Sequence, residues 1–251
     1  MTGIALEERR STLGESTVLW AGPDGVTVGS DRWVALSGAP SVEYNAALVH
    51  GDGGALEPTV EEILAAGAPA VVMIAGRAAD RVARLRDRRW KPIGTLALMH
   101  LELGRWQAAP GRAARRLGAG DHPAVRALVG DVYGVGPRLA GVAISGPVAG
   151  LEGHDLWGAF DPGGKLVSCL ATVRVRHTVV VWSMATAVAA RRRGYGAAAL
   201  STALTSAAAT GATSSLLSST AAGEPLYRAL GYGELERWQQ WSRPRWALAR
   251  R

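Results

Sequence analysis

A valine- and threonine-rich segment that leads directly into a glycine-containing turn and a helix most constrains this fold. Residues 178–188 predict a β-strand, and an alanine-rich helix is predicted over 197–210. The turn between them contains Arg191-Arg192-Arg193-Gly194-Tyr195-Gly196. The first amides of a helix have no carbonyl partner within it, and the helix dipole adds partial positive charge there. The sequence therefore predicts a site for an anion such as a diphosphate, reinforced by three arginines.

Two other phosphate-binding motifs fit this turn poorly. A dinucleotide fingerprint needs a third small residue, which Ala199 could supply, and an acidic residue about 20 positions further on. No Asp or Glu occurs between Gly196 and Glu224. The Gly-Lys-Ser/Thr of a Walker loop is absent as well. Taken alone, Gly194-x-Gly196 is also compatible with a well-packed turn that carries a solvated run of charge.

Two segments together resemble the GCN5-related N-acetyltransferases, the GNAT family. Arg191-x-x-Gly194-x-Gly196, with the lead-in Met184-Ala185-Thr186-Ala187-Val188, is similar to the family's motif A. Residues 218–232 read SSTAAGEPLYRALGY, similar to the strand, small-residue loop and Leu-Tyr-x-x-Leu-Gly-Phe/Tyr helix end that close the family's core. The resemblance covers residues 112–251.

The resemblance implies an α+β, mixed αβ fold of the GNAT type. Its central sheet would be mixed, mostly antiparallel and flanked by helices, with a splay between the fourth and fifth strands. These strands correspond here to residues 179–188 and 213–219. A smaller N-terminal α/β domain would precede it, so we expect domains over residues 1–110 and 111–251, joined near the Ala-, Gly- and Arg-rich stretch 107–120.

The first half leaves two interpretations open. A strand over 69–75, a helix over 78–89 and a strand over 95–103 repeat the element order at the end of the second half. This order is compatible with a degenerate, shortened GNAT-like domain, as in tandem members of the family. It is equally compatible with a family-specific N-terminal extension.

The resemblance also implies the cofactor and the residues that bind it. The donor would be acetyl-CoA, or another acyl-CoA, as co-substrate. Backbone groups of Thr186, Ala187 and Val188 would pair with the pantetheine arm as an added strand does. A backbone amide near residues 185–187 would polarise the acyl carbonyl. The diphosphate would be held at the turn and the start of the helix, by Arg191, Arg192, Arg193, Gly194, Tyr195, Gly196 and Ala197.

The implied reaction is N-acetyl transfer by direct attack of an amine, without a covalent enzyme intermediate. Tyr227 matches the family tyrosine that protonates the departing thiolate, although a helix residue packed on the sheet would look the same. The sequence does not identify a general base, and water can relay the proton. The candidates, each also explained as a solvated surface residue, are Glu152, His154, Asp155, His177 and Glu224.

Two other functions remain open at this stage. One is a non-catalytic acyl-CoA-binding or sensor protein, and the other is a GNAT-fold enzyme with different thioester chemistry in specialised metabolism. For the leading function we expect a small-molecule or peptide amine as acceptor. Dimers are frequent in the family, so a homodimer is also an expectation.

Composition restricts the partners and the compartment. Residues 1–110 hold 11 basic and 13 acidic residues, whereas residues 111–251 hold 17 and 8, so the positive charge belongs to the second half. That charge favours an anionic partner, but no aromatic-interleaved basic stretch or zinc-finger spacing indicates nucleic acid or a metal. No apolar run long enough for a membrane span and no signal peptide occur, which favours a cytoplasmic protein. Cys169, the only cysteine, lies in an apolar run and is expected to be a buried structural thiol.

Three features of the chain are assigned structural roles. Residues 50–54, HGDGG, are expected to form a flexible loop. Thr59 with Glu62 predicts a helix that begins with a capping box. The tryptophans near the C-terminus, Trp238, Trp241 and Trp246, are expected to pack in the core, with the wall of an acceptor pocket as the alternative.

Overall fold

The computed structural model describes residues 3–108, 112–143 and 153–243. They fall into two compact units, each built from more than one stretch of chain. The first unit draws on Met1–Leu98, Ser218–Glu224 and Glu234–Arg251, and the second on Met99–Leu217 and Pro225–Gly233. The sequence domains 1–110 and 111–251 stay a prediction, because a compact unit is not by itself a unit of folding.

The described residues contain eight α-helices and eleven β-strands. The helices are α1 (Gly3–Ser16), α2 (Val18–Ala21), α3 (Leu56–Ala66), α4 (Ala83–Asp87), α5 (His122–Tyr133), α6 (Pro137–Ala140), α7 (Tyr195–Ala209) and α8 (Glu224–Ala229). The strands are β1 (Val26–Val28), β2 (Arg32–Leu36), β3 (Asn45–Val49), β4 (Val71–Ile74), β5 (Lys91–Glu102), β6 (Ala114–Arg116), β7 (His154–Phe160), β8 (Leu166–Val175), β9 (Thr178–Thr186), β10 (Ser214–Ser219) and β11 (Gly233–Ser242).

In the first unit, the sheet has the strand order β1-β2-β3-β4-β11. β1, β2 and β3 form an antiparallel meander, and α3 then connects β3 to the parallel strand β4. The last strand of the chain, β11, pairs antiparallel with β4 and places Trp241 beside Val72. Val72, Trp241 and the α3 residues Val60 and Ile63 belong to one buried apolar cluster, which holds the helix against the sheet.

The second unit repeats this order of elements. β7, β8 and β9 are antiparallel, and α7 connects β9 to the parallel strand β10. β6 adds to β7 at one edge, and β5 lies beside β10. The predicted mixed, mostly antiparallel sheet with flanking helices is therefore confirmed. Both interpretations of the first half, a degenerate GNAT-like domain and a family-specific extension, stay open.

Two local predictions in the first half are wrong, whereas the predicted loop is present. α3 begins at Leu56, three residues before the predicted cap, and Thr59 lies within the helix, where its hydroxyl donates to the Ala55 carbonyl at 2.7 Å. The helix expected over 78–89 is divided into a 3-10 segment, Gly76–Arg81, and the short α4. The HGDGG segment is a loop in which Asp52 Oδ1 accepts from the Gly54 amide at 2.8 Å, and Arg81 Nε donates to the Asp52 carbonyl at 2.7 Å.

The tryptophans pack in the core as expected. Trp238 and Trp241 are 0% and 1% exposed. Trp90, at the end of the loop after α4, is also buried and belongs to the same apolar cluster as Trp241. Trp246 lies outside the described residues.

A buried ion pair stabilises the first unit. The Arg10 guanidinium on α1 donates to both carboxylate oxygens of Glu236, and Trp238 Nε1 donates to the same carboxylate at 2.6 Å. The two charged side chains are 8% and 14% exposed. His50 is buried as well, and burial together with the charge of Arg10 lowers its pKa. Because buried charges are costly unless paired, each partner of this ion pair depends on the other.

We therefore expect Arg10→Met to lower the free energy of unfolding by about 3 kcal/mol, because it keeps the apolar stem but leaves the Glu236 charge without its partner. The matched control is Arg84→Met, since Arg84 forms an exposed ion pair with Glu57 at 3.6 Å. The control should cost less than about 1 kcal/mol. Urea unfolding followed by tryptophan fluorescence measures both, and equal losses in the two variants would contradict the importance of the buried pair.

Candidate active site

The second unit has an open strand edge. β10 pairs with β9 only from Ser214↔Thr178 to Leu216↔Val180. β9 continues to Thr186 and stays paired with β8 on its other side, up to Ser168↔Thr186. From Val181 onward, the edge of β9 that faces away from β8 therefore has no registered strand partner among the described residues. This is the position of the predicted splay.

A β-bulge interrupts β9 along this open stretch. Ala171 is opposite Trp182 and Cys169 is opposite Ala185, so two residues of β9, Ser183 and Met184, face one residue of β8. Ser183 has a φ of 51°, in the left-handed region that a serine rarely adopts. Bulges of this kind turn backbone groups out of the regular ladder and are frequent beside functional sites.

The ladder geometry determines which backbone groups of β9 face the open edge. The Ala187 amide donates to the Val167 carbonyl at 2.9 Å, so it is used within the sheet. Because hydrogen-bonded pairs alternate along an antiparallel ladder, the amide and carbonyl of Thr186 point away from β8. The Thr186 carbonyl accepts from Arg191 Nε at 3.2 Å. Thr186, Ala187 and Val188 are the residues predicted to pair with the pantetheine arm. Within β9, the Thr186 amide is the donor that points to the open edge.

The turn after β9 presents amides that the helix does not use. A 3-10 segment, Val188–Ala190, leads into the exposed arginines, and Gly194 precedes α7 with a φ of 83°. The first hydrogen bond of the helix runs from the Ala198 amide to the Gly194 carbonyl at 2.9 Å. The amides of Tyr195, Gly196 and Ala197 therefore come before the first helical donor and have no helical carbonyl to bind. The helix dipole adds partial positive charge at these three amides, so an anion could bind there.

The start of α7 packs closely against β9. A Cβ atom added to Gly196 would lie 3.0 Å from Met184 Cε and 3.3 Å from Thr186 Oγ1. A larger residue at Gly196 would therefore need its neighbours to shift, whereas at Gly194 the positive φ favours glycine.

Arg112 supports the turn from outside the motif. Its Nε donates to the Arg193 carbonyl at 2.7 Å, and its guanidinium lies 4.5 Å from the centre of the Tyr195 ring. The position of Arg112 in the sequence gives no signal of this role, because the contact joins residues far apart in the chain.

Tyr227 lies on α8 in a buried aromatic environment. It is 7% exposed, and its ring meets that of Tyr232 edge-on at 5.7 Å. The Tyr232 hydroxyl shares a hydrogen bond of 2.6 Å with Ser215 Oγ. Burial raises the pKa of Tyr227 well above its ordinary value, and Tyr133 and Tyr232 raise it further. The Tyr227 phenol is therefore protonated at neutral pH and can act as a hydrogen-bond donor.

The candidate general bases are engaged or lie elsewhere. Arg237 binds both carboxylate oxygens of Glu224, at 2.8 and 3.0 Å. Asp155 forms an ion pair with Arg116. Asp155 and His154 begin β7 opposite Thr172 and Val173, and His177 precedes β9. These three residues are therefore near the start of β9, whereas the open edge leads to its end at Thr186. Glu152 lies outside the described residues.

The comparisons with known proteins agree with this geometry. Residues 146–232 match the model of the acetyltransferase (GNAT) family. No curated protein sequence matches the chain.

Similar solved structures cover almost the whole chain. A GCN5-related N-acetyltransferase from Kribbella flavida has a TM-score of 0.64 and 16% identity, over 92% of this chain and 96% of its own. One from Sphaerobacter thermophilus has a TM-score of 0.63 and 14% identity, over 96% and 92%. A tandem GNAT protein from the clavulanic acid biosynthesis pathway has a TM-score of 0.57 and 13% identity, over 94% and 93%. At these identities the likeness shows the fold, which is that of the GNAT proteins.

Among the described residues, no helix combines the length and the apolar character needed to cross a membrane. No group of three or more His, Cys, Asp or Glu side chains is arranged there to hold a metal ion.

Cys169 lies within β8, where burial raises the pKa of its thiol to about 12. We expect the folded protein to react with a thiol reagent at pH 8 far more slowly than the urea-unfolded chain, because only the thiolate is nucleophilic. Stopped-flow measurement of thiol release in both states tests this. Rapid reaction in the folded state would contradict a structural role and indicate an accessible thiolate.

Proposed function

We propose that this chain, which carries a GNAT-family acetyltransferase domain at residues 146–232, is an acyl-CoA-dependent N-acyltransferase that transfers an acetyl group from acetyl-CoA to an amine. The observation that carries the proposal is the position of the unpaired amides at the start of α7, directly after the open edge of β9. One end of this arrangement suits a diphosphate and the other suits an extended arm. Coenzyme A combines both groups in one molecule.

The diphosphate would bind at the turn. The amides of Tyr195, Gly196 and Ala197 would donate to its oxygens, and the dipole of the fifteen-residue helix α7 favours the negative charge. The exposed arginines Arg191, Arg192 and Arg193 would add attraction over a longer range. The excess of basic residues in the second half of the chain has the sign required to draw in this polyanion.

The pantetheine arm would extend from the turn along the open edge. The Thr186 amide is available to pair with an amide carbonyl of the arm, in the manner of an added strand. Val188 is 73% exposed at the entrance to this edge and offers apolar surface that the arm would cover. The bulge at Ser183 and Met184 then lies further along the edge, on the side where the acyl group would be.

The reaction would proceed by direct attack. The amine nitrogen forms a bond to the acyl carbon, and the carbonyl oxygen takes up the negative charge of an oxyanion intermediate. Collapse of this intermediate breaks the carbon–sulfur bond. The Tyr227 hydroxyl donates its proton to the departing sulfur and is reprotonated from water, and the proton lost by the amine also passes to water. The acceptor would be a small-molecule or peptide amine, and the protein would form a homodimer.

Tyr227→Phe is expected to lower kcat by about 100-fold, because it removes the proton donor, while CoA affinity changes by less than about threefold. Release of free CoA thiol with a panel of amines measures turnover, and calorimetry measures binding. The matched control is Tyr44→Phe, which alters a buried tyrosine of the first unit and should leave turnover intact. Wild-type turnover in Tyr227→Phe would exclude the assigned role. CoA binding without turnover on any amine would favour a sensor protein instead.

The first unit is expected to bind no coenzyme A, so that the chain binds one molecule. The segment before α3 corresponds in order to the turn before α7, but the Asp52 carboxylate already caps the Gly54 amide there. A Cβ atom on Gly53 would lie 2.8 Å from Arg81 Cδ, so this corner is filled by the chain itself.

Calorimetry with CoA should therefore give a stoichiometry near one, and Gly196→Val in the second unit should abolish binding because its side chain would collide with β9. Gly29→Val, in the first unit, where an added Cβ atom would meet nothing closer than 3.6 Å, is the matched control and should retain the wild-type stoichiometry. A stoichiometry of two, or full binding by Gly196→Val, would contradict this distribution.

A further inference from the structure

We infer that Tyr133 limits the length of the acyl chain that the protein accepts. The inference rests on the proposed acyl-CoA site and adds a specificity-determining residue to it. Tyr133 is the last residue of α5, and nothing in the sequence around it indicates a site. Its hydroxyl donates to the Met184 carbonyl at 3.0 Å, which places the side chain against the bulge of β9.

The direction of the Met184 carbonyl follows from the ladder. The Ala187 amide donates to Val167, so the pair Ala185–Cys169, two residues earlier in the same register, is also a hydrogen-bonded pair. The Ala185 amide therefore points toward β8. The carbonyl of Met184 belongs to the same peptide group, and in a trans peptide it points the opposite way. The Tyr133 hydroxyl is thus located at the open edge of β9.

This position is the far end of the proposed arm. The diphosphate site follows Thr186 in the chain, so an arm that starts there passes Thr186 before it approaches Met184. The group that Met184 would offer to an incoming strand is its carbonyl, and the Tyr133 hydroxyl already donates to it. An arm that pairs at Thr186 would therefore meet the Tyr133 side chain when it reaches Met184. The thioester and its acyl group would end beside the Tyr133 ring.

The surroundings of Tyr133 support a terminating role. Its side chain is 44% exposed, so part of the ring faces open space. Tyr133 also contributes to the raised pKa of Tyr227, so the two phenols interact electrostatically. The Met184 side chain packs against the first turn of α7 at Gly196. A longer acyl chain would have to displace the Tyr133 ring and break its hydrogen bond to Met184.

The test compares the affinities for acetyl-CoA and hexanoyl-CoA, each expressed relative to free CoA for the same protein, by calorimetry without an acceptor. The wild type should bind hexanoyl-CoA at least about tenfold more weakly than acetyl-CoA. Tyr133→Ala removes the ring and should bring the two affinities within about threefold of each other. Tyr133→Phe keeps the ring, so it is the matched control and should retain most of the discrimination. If Tyr133→Ala does not fold, Tyr133→Leu tests the same loss of ring volume.

The possible outcomes distinguish the role of Tyr133 from the proposed acyl-CoA-dependent function. Wild-type discrimination in a folded Tyr133→Ala protein, or equal affinities in the wild type, would overturn the role of Tyr133 and leave the proposed function intact. A wild-type protein with no affinity for CoA or its thioesters would overturn the proposed function, and the inference about Tyr133 with it.

Discussion

Hydrogen bonding between β9 and β10 ends after three residue pairs, and the functional part of the molecule depends on this interruption. A strand that is paired along both edges has no backbone amide or carbonyl left to bind a ligand. Because β9 continues past the last pair, the Thr186 amide is directed outward, and the start of α7 presents further unpaired amides close by along the chain. In most proteins such groups are satisfied internally. Here they form an extended row of donors that suits a ligand with an anionic head and an amide-containing arm.

The first unit has the same order of elements but no corresponding open site before its helix. It also has three antiparallel strands, a helix and a parallel strand, but the corner before its helix is filled by Asp52 and by the Arg81 side chain. Its β3–β4 pairing extends over four residue pairs, up to Val49↔Ile74. The unit also contains the buried Arg10–Glu236 ion pair, in which each buried charge is compensated by the other. These differences favour a structural task for the first unit.

Features that depend only on residues close together in the chain could be predicted from the sequence. The strand–turn–helix around Gly194 depends on neighbouring residues, and its predicted boundaries differ from the structure by at most two residues. The bulge at Ser183, the Tyr133–Met184 hydrogen bond and the Arg112–Arg193 contact could not be predicted. Each depends on how distant segments pair, and no residue type at these positions requires it. The start of α3 was misassigned because Thr59 and Glu62 have the spacing of a capping box inside a helix that had already begun.

The most direct test of the central claim is a crystal structure of the protein with CoA. We expect diphosphate oxygens within about 3 Å of the amide nitrogens of Tyr195, Gly196 or Ala197, with the arm paired to Thr186 along the open edge of β9. A diphosphate bound elsewhere, or crystals that take up no CoA at saturating concentration, would contradict this claim.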